Sequence, residues 1–138
     1  MIYKLYVIQI SNTMVKVFLC WMKTILESKS KSLALEAISF SKLLRENKIW
    51  SIENQFVRSS TAIGALVAES QSAESRADFI HKLKIASKEV KETYYWLDLI
   101  NEGYSISPPA SLCSLLLECD KMINSCIATA KKNERMKK

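Results

Sequence analysis

Residues 78–100 read DFIHKLKIASKEVKETYYWLDLI. Phe79, Leu83, Ala86, Val90, Thr93, Leu97 and Ile100 recur at alternating spacings of four and three, the period of one helical face turned to a core. Yet the stretch holds more large apolar residues than one face needs. Turning 100° per residue from Phe79 sets Ile85, Glu89, Glu92, Trp96 and Leu99 in a second row, well away from the first. An apolar edge rimmed by charge suits a surface that another subunit covers. The alternative is that Trp96 and Leu99 merely widen the core. A third row, His81, Lys84, Lys88, Lys91 and Tyr95, occupies the outermost face. A basic ridge ending in an aromatic ring fits a phosphate backbone, with Tyr95 as a stacking surface. Its bland reading is a solvated face stitched by pairs such as Lys88 with Glu92 at i,i+4.

The same four-and-three spacing extends outward along the chain. A first helix is expected from about Ser30 to Glu46 on Leu33, Ala37, Phe40 and Leu44. After a break at Asn47 and Lys48, a second opens with Ser51 as its cap and carries Ile52, Phe56, Ser59, Ile63 and Leu66. Its middle, SSTAIGALVA, is built from small residues that admit a neighbour closely. Gly64 costs about 1 kcal/mol of helix propensity relative to alanine, which close packing would explain. Ser75 with Asp78 forms a capping signal for the third helix, and Gly103 is expected to end it. Ser107 followed by Pro108 is a start signal for a fourth, with Leu112, Leu116, Cys119, Ile123, Cys126 and Ala130 facing inward. Shallow-angle packing of such stripes gives an all-α, antiparallel up-down-up-down four-helix bundle.

Composition agrees with this reading. A chain of 138 residues is the size of one domain, and two glycines and two prolines are too few for the turns of an all-β fold. The net charge is +6, and the C-terminal KKNERMKK holds five basic residues against one acid. Such a tail is a handle for polyanions, or else a frayed helix end whose lysines favour the dipole's negative pole. Cys20, Cys113, Cys119 and Cys126 form no Cys-x-x-Cys pair, and His81 is the lone histidine. No metal site or cofactor is therefore expected, and Cys119 and Cys126 read as reduced core thiols, which suits a cytoplasmic protein. No glycine-rich phosphate loop or glycine-flanked nucleophile is present, and one histidine cannot build a di-metal carboxylate cluster. No enzymatic function is expected. Residues 1–24 fit least well. MIYKLYVIQI alternates like a strand, and the following apolar run is short, interrupted by Lys16 and lacks a small-residue cleavage site. The expected organisation is an extension over 1–24, the bundle over 25–133 and a basic tail over 134–138, with no membrane partner.

Two segments, QFVRSSTAIGALVAES and SRADFIHKLKIASKEVKETYYWLDLI, resemble a family of four-helix-bundle proteins encoded within bacterial 23S ribosomal RNA intervening sequences. The resemblance rests on Gln55, Arg58, Ser59, Thr61, Ile63, Ala65 and Glu69 in the first. In the second it rests chiefly on Ser75, Asp78, Phe79, Lys82, Lys88, Glu89, Glu92, Thr93, Tyr95 and Trp96. It covers roughly residues 25–132. Ala62 and Leu66 depart from it, standing where the family pattern has serine and asparagine. The resemblance implies a compact bundle assembling as a ring, a homopentamer. The chain is also similar to the accessory variability proteins of diversity-generating retroelements, which are basic bundles that bind nucleic acid and partner a reverse transcriptase. The expectation is a homo-oligomer that binds RNA or DNA without sequence preference. Its cationic residues would be Arg58, Arg76, Lys84, Lys88, Lys91, Lys131, Lys132, Arg135, Lys137 and Lys138, with Tyr95 beside them. The alternative is a protein-interaction adaptor with no intrinsic nucleic-acid role.

Overall fold

A tight link decides how the first two helices meet. Lys48 takes the left-handed conformation (φ 61°), and its N–H donates to the Arg45 carbonyl at 2.9 Å. The Ile49 N–H donates to the Leu44 carbonyl at 3.0 Å. These two bonds satisfy the last carbonyls of the helix, and the apolar pair Ile49 and Leu44 is buried beside them, as a Schellman ending requires. Ile49 also accepts from the Glu53 N–H at 3.0 Å and so begins the next helix. One residue thus closes one helix and opens another. Ser51 therefore lies inside the first turn and is not the cap; the residue at that position, Ile49, provides no side-chain acceptor.

The computed structural model describes the backbone of residues 2–135, and the side chains of Cys20 and of residues 22–132. The chain forms α1 (Ile2–Glu46), α2 (Trp50–Gln71), α3 (Arg76–Tyr104) and α4 (Ala110–Arg135). Each helix packs on the next, and α1 closes the ring against α4. Contacts run antiparallel around it. Arg45 meets Glu53 while Ser30 backs onto Gly64, Arg58 meets Glu92 while Glu69 meets Lys82, and Lys29 meets Glu118 while Glu36 meets Ser111. The fold is an all-α four-helix bundle, as the periodicity required.

The core follows the stripes. Every expected inward residue of α3 and α4 is buried, as are Leu33, Ala37, Phe40 and Leu44 of α1. Phe40 and Phe56 meet edge-on, ring centroids 5.8 Å apart. On α2 the stripe drifts: Ile52 and Leu66 are half-buried, and Val67 takes the fully enclosed place. At Gly64 α1 comes close, since a Cβ there would lie 3.3 Å from the Ser30 carbonyl oxygen. The Ser59 and Thr93 hydroxyls meet at 3.0 Å across the α2–α3 seam, and Thr93 donates to the Glu89 carbonyl at 2.8 Å. Burial pushes the Cys119 thiol up to about 11, and Cys126 upward as well, so both stay neutral and pack as small apolar groups.

Helix boundaries show where local signals were overruled. Ser75 caps α3 as expected, accepting from the Asp78 N–H at 3.1 Å. The far end passes Gly103 and stops at Ser105, which adopts the left-handed conformation (φ 55°). α4 begins at Ala110, with the Pro109 carbonyl accepting from Cys113, one turn-step later than the Ser107–Pro108 signal. At the other end α1 is helical from Ile2, well before Ser30, and the alternation in MIYKLYVIQI produces no strand. A lone strand has no neighbour for its backbone groups, whereas a helix satisfies them internally. Met22 and Leu26 are buried and belong to the core cluster. Side chains of the extension through residue 19, and of residues 133–138, lie outside the described residues. Among the described residues no helix is long and apolar enough to cross a membrane.

Candidate nucleic-acid interface

Helix α3 presents two differently treated faces. Its core stripe points at the other helices, so His81, Lys84, Lys88, Lys91 and Tyr95 come to stand on the surface, all exposed. The row Ile85, Glu89, Glu92, Trp96 and Leu99 faces the α2 seam and is half-buried throughout. Arg58 of α2 lies across that row. Its guanidinium contacts the Glu89 carboxylate at 3.4 Å, pairs with Glu92 and donates from Nε to Gln55 Oε1 at 3.2 Å. The Trp96 indole N–H donates to the same Glu92 oxygen at 3.1 Å. The hydrogen bond from Arg58 holds the Glu92 carboxyl below the usual carboxylate range, and Glu92 in turn raises Arg58.

This network bears on two expectations. Arg58, one of the expected cations, is engaged by two carboxylates of its own chain while half of its side chain stays exposed. Glu92 is likewise claimed by Arg58 and Trp96, so the pair Lys88–Glu92 does not form. The reason is reach: a guanidinium on the facing helix can fork between Glu89 and Glu92, one turn apart, and a lysine on the same helix cannot match that geometry. Among the described residues no carboxylate pairs with Lys84 or Lys88. Lys91 reaches Asp120 of α4 at 3.2 Å and keeps two-thirds of its side chain exposed.

The remaining expected cations fall in two groups. Arg76, at the start of α3, and Lys131 and Lys132, near the end of α4, are exposed, and the antiparallel run of α3 and α4 brings them to one end of the bundle. The side chains of Arg135, Lys137 and Lys138 lie outside the described residues. Trp96 packs against the core edge and meets Tyr95 edge-to-face at 5.1 Å, while Tyr95 itself is 56 % exposed. The second apolar row is thus partly sealed within the subunit by Arg58. The sequence reading passed over Leu35 and Ile38 on α1, which are exposed, and a shallow groove beside them lined by Ser32, Leu35, Glu36, Ser39 and Leu115. Their signal was present: both are large apolar residues lying off the Leu33–Ala37–Phe40 stripe. Among the described residues no three His, Cys, Asp or Glu side chains gather as a metal site would need.

The residues that build the Arg58 network are those on which the family resemblance rests. A family model described as 23S rRNA-intervening sequence protein matches residues 22–125, from the buried Met22 to within the last helix. The chain belongs to this family. A solved structure similar to this one is that of a protein with unknown function from the S23 ribosomal protein family of Bacteroides thetaiotaomicron VPI-5482. It is 35 % identical, with a TM-score of 0.73, and the match covers 78 % of this chain and 98 % of that one. No curated protein matches the chain. Of the two departures from the family pattern, Ala62 is half-buried on α2 and Leu66 packs as a half-buried apolar residue at the core edge, where the family's asparagine would place an amide.

Proposed function

We propose that this 23S rRNA-intervening sequence protein is a non-enzymatic, cytoplasmic homo-oligomer that binds nucleic acid through sequence-independent phosphate contacts. One observation carries the reading. Lys84 and Lys88 stand on an exposed face with no carboxylate partner among the described residues, while Glu89 and Glu92 of the adjacent row are held by Arg58. Lys91 can exchange Asp120 for a phosphate, and Arg76, Lys131 and Lys132 extend positive charge around one end of the bundle. Contacts of this kind release counterions from the polyanion, so affinity falls steeply as salt rises.

The test is fluorescence anisotropy of a labelled nucleic acid across a salt series. Binding at low salt that weakens with a log–log slope of several units is expected. Replacing Lys84 and Lys88 together by alanine lowers that slope by about 1.4 to 1.8 if both touch phosphate. Absence of binding at low salt, or affinity indifferent to salt, overturns the reading. The assembly component is supported by apolar surface that one subunit leaves uncovered, Leu35, Ile38 and Leu117 among it. Sedimentation showing a monomer at working concentration overturns that component. A second reading, an adaptor that docks another protein such as a reverse transcriptase, is favoured by the Leu35–Leu115 groove alone, and carries no requirement for salt-sensitive nucleic-acid binding.

A further inference from the structure

We infer that the nucleic acid this surface takes is single-stranded, held by an unpaired base stacked on Tyr95 while the adjacent phosphates lie along Lys88 and Lys84. The inference rests on the phosphate-binding reading above and goes beyond it, because lysines alone do not distinguish a single strand from a duplex.

Four observations carry it. Tyr95 is a large aromatic residue more than half exposed, at the end of the ridge that also holds the unpaired lysines. On a helix, Tyr95 stands about 6 Å beyond Lys91 and about 10 Å beyond Lys88, within the reach of neighbouring nucleotides of one strand. Its ring is held from behind: Trp96 meets it edge-to-face, Glu92 accepts from the Trp96 indole, and Arg58 fixes Glu92 from the facing helix. Lys91, the lysine nearest the ring, pairs with Asp120 at 3.2 Å but stays two-thirds exposed, and among the described residues no carboxylate pairs with Lys88 or Lys84 further along the ridge.

These features matter together. A ring with a fixed orientation loses little conformational freedom when a base stacks on it, so more of the stacking attraction appears as affinity. Base–aromatic stacking tolerates any sequence, since every base has a π-face, and it is denied to a duplex, whose base faces are already stacked on one another. The Arg58–Glu92–Trp96 chain thus acts as a brace that positions Tyr95 without touching the ligand.

The experiment compares a labelled single-stranded oligothymidylate with a mixed-sequence duplex of the same length, at one low salt concentration, using the full chain. Tyr95→Ala is expected to weaken the single strand about tenfold and the duplex less than twofold. Tyr95→Phe, which keeps the ring, is expected to bind the single strand within twofold of the native protein and to show that a lost hydroxyl is not the cause. Lys84→Ala with Lys88→Ala weakens both ligands. Equal binding of the single strand by the native protein and Tyr95→Ala overturns this inference while leaving phosphate binding in place. Failure of the native protein to bind either ligand overturns the underlying reading itself.

Discussion

Helix α3 carries charge along both of its flanks, and the two flanks behave oppositely. Toward α2, Lys82 pairs with Glu69 at 2.8 Å, and Glu89 and Glu92 share Arg58. Toward solvent, Lys84 and Lys88 share an exposed face with Tyr95 and have no carboxylate partner among the described residues, while Lys91 reaches Asp120 of α4. Spacing along the chain treats Lys82 and Lys84 alike. The difference is made by the facing helix, which supplies Glu69 and Arg58 at heights matched to the first flank and nothing to the second. Charge on a helix surface therefore acquires meaning only once its neighbours are placed: one flank ties α3 to α2, and the other leaves Lys84 and Lys88 exposed with no carboxylate partner among the described residues.

The comparison can be broken most severely from the core side. Leu83, between the two flanks and fully enclosed, should cost roughly 2 to 5 kcal/mol when replaced by alanine, read by chemical denaturation. A loss below about 1 kcal/mol would mean that α3 is not seated as described. Next comes the α2 flank. Arg58→Ala leaves Glu89 and Glu92 facing each other without a counter-charge, and should cost about 1 kcal/mol, since the guanidinium is half exposed and solvent screens the pair. That variant also sharpens the pH dependence. Glu92 is held below its ordinary range in the folded chain, so its contribution is fully present above the unfolded carboxylate value. It is lost as pH falls through the lower, folded value. The acid limb of a stability-versus-pH curve should accordingly be shallower in Arg58→Ala than in the native protein. The solvent flank should show the smallest effect on stability: Lys84→Ala with Lys88→Ala is expected to change it by less than about 0.5 kcal/mol while altering the salt dependence of nucleic-acid binding. A destabilisation like that of Arg58→Ala would show that these lysines have structural partners after all.

The bundle was legible in the sequence because its signal is redundant. Seven inward positions on α3, all apolar but Thr93, and six on α4 repeat one period, and no single ambiguous residue alters the outcome. Helix ends were less legible, because each rests on one or two local bonds that a neighbouring element can overrule. At Ser51 the cap signal lost to Ile49, already committed to closing α1. At Gly103 the expected stop lost to Ser105, since a glycine can stay helical at modest cost when the next turn still forms. The candidate site was half legible. The ridge could be drawn from angles alone, but the placing of Arg58 could not, because its partners lie more than thirty residues away on another helix. Trp96 was open to two readings, an anchor for a second subunit or a wider core edge; it is half-buried, with its indole N–H bonded to Glu92 of its own chain.

The near-contact of Gly64 with the Ser30 carbonyl has a mechanical consequence. Two rods whose backbones approach closely, with no side chain between them, share a fulcrum there. Relative motion of α1 and α2 becomes a rocking about that point, small at the middle and larger toward both ends. Amide exchange should be slowest around Ile63 and Gly64 and quicken outward along both helices. A leucine at 64 would push the fulcrum apart and turn a pivoting pair into a splayed one.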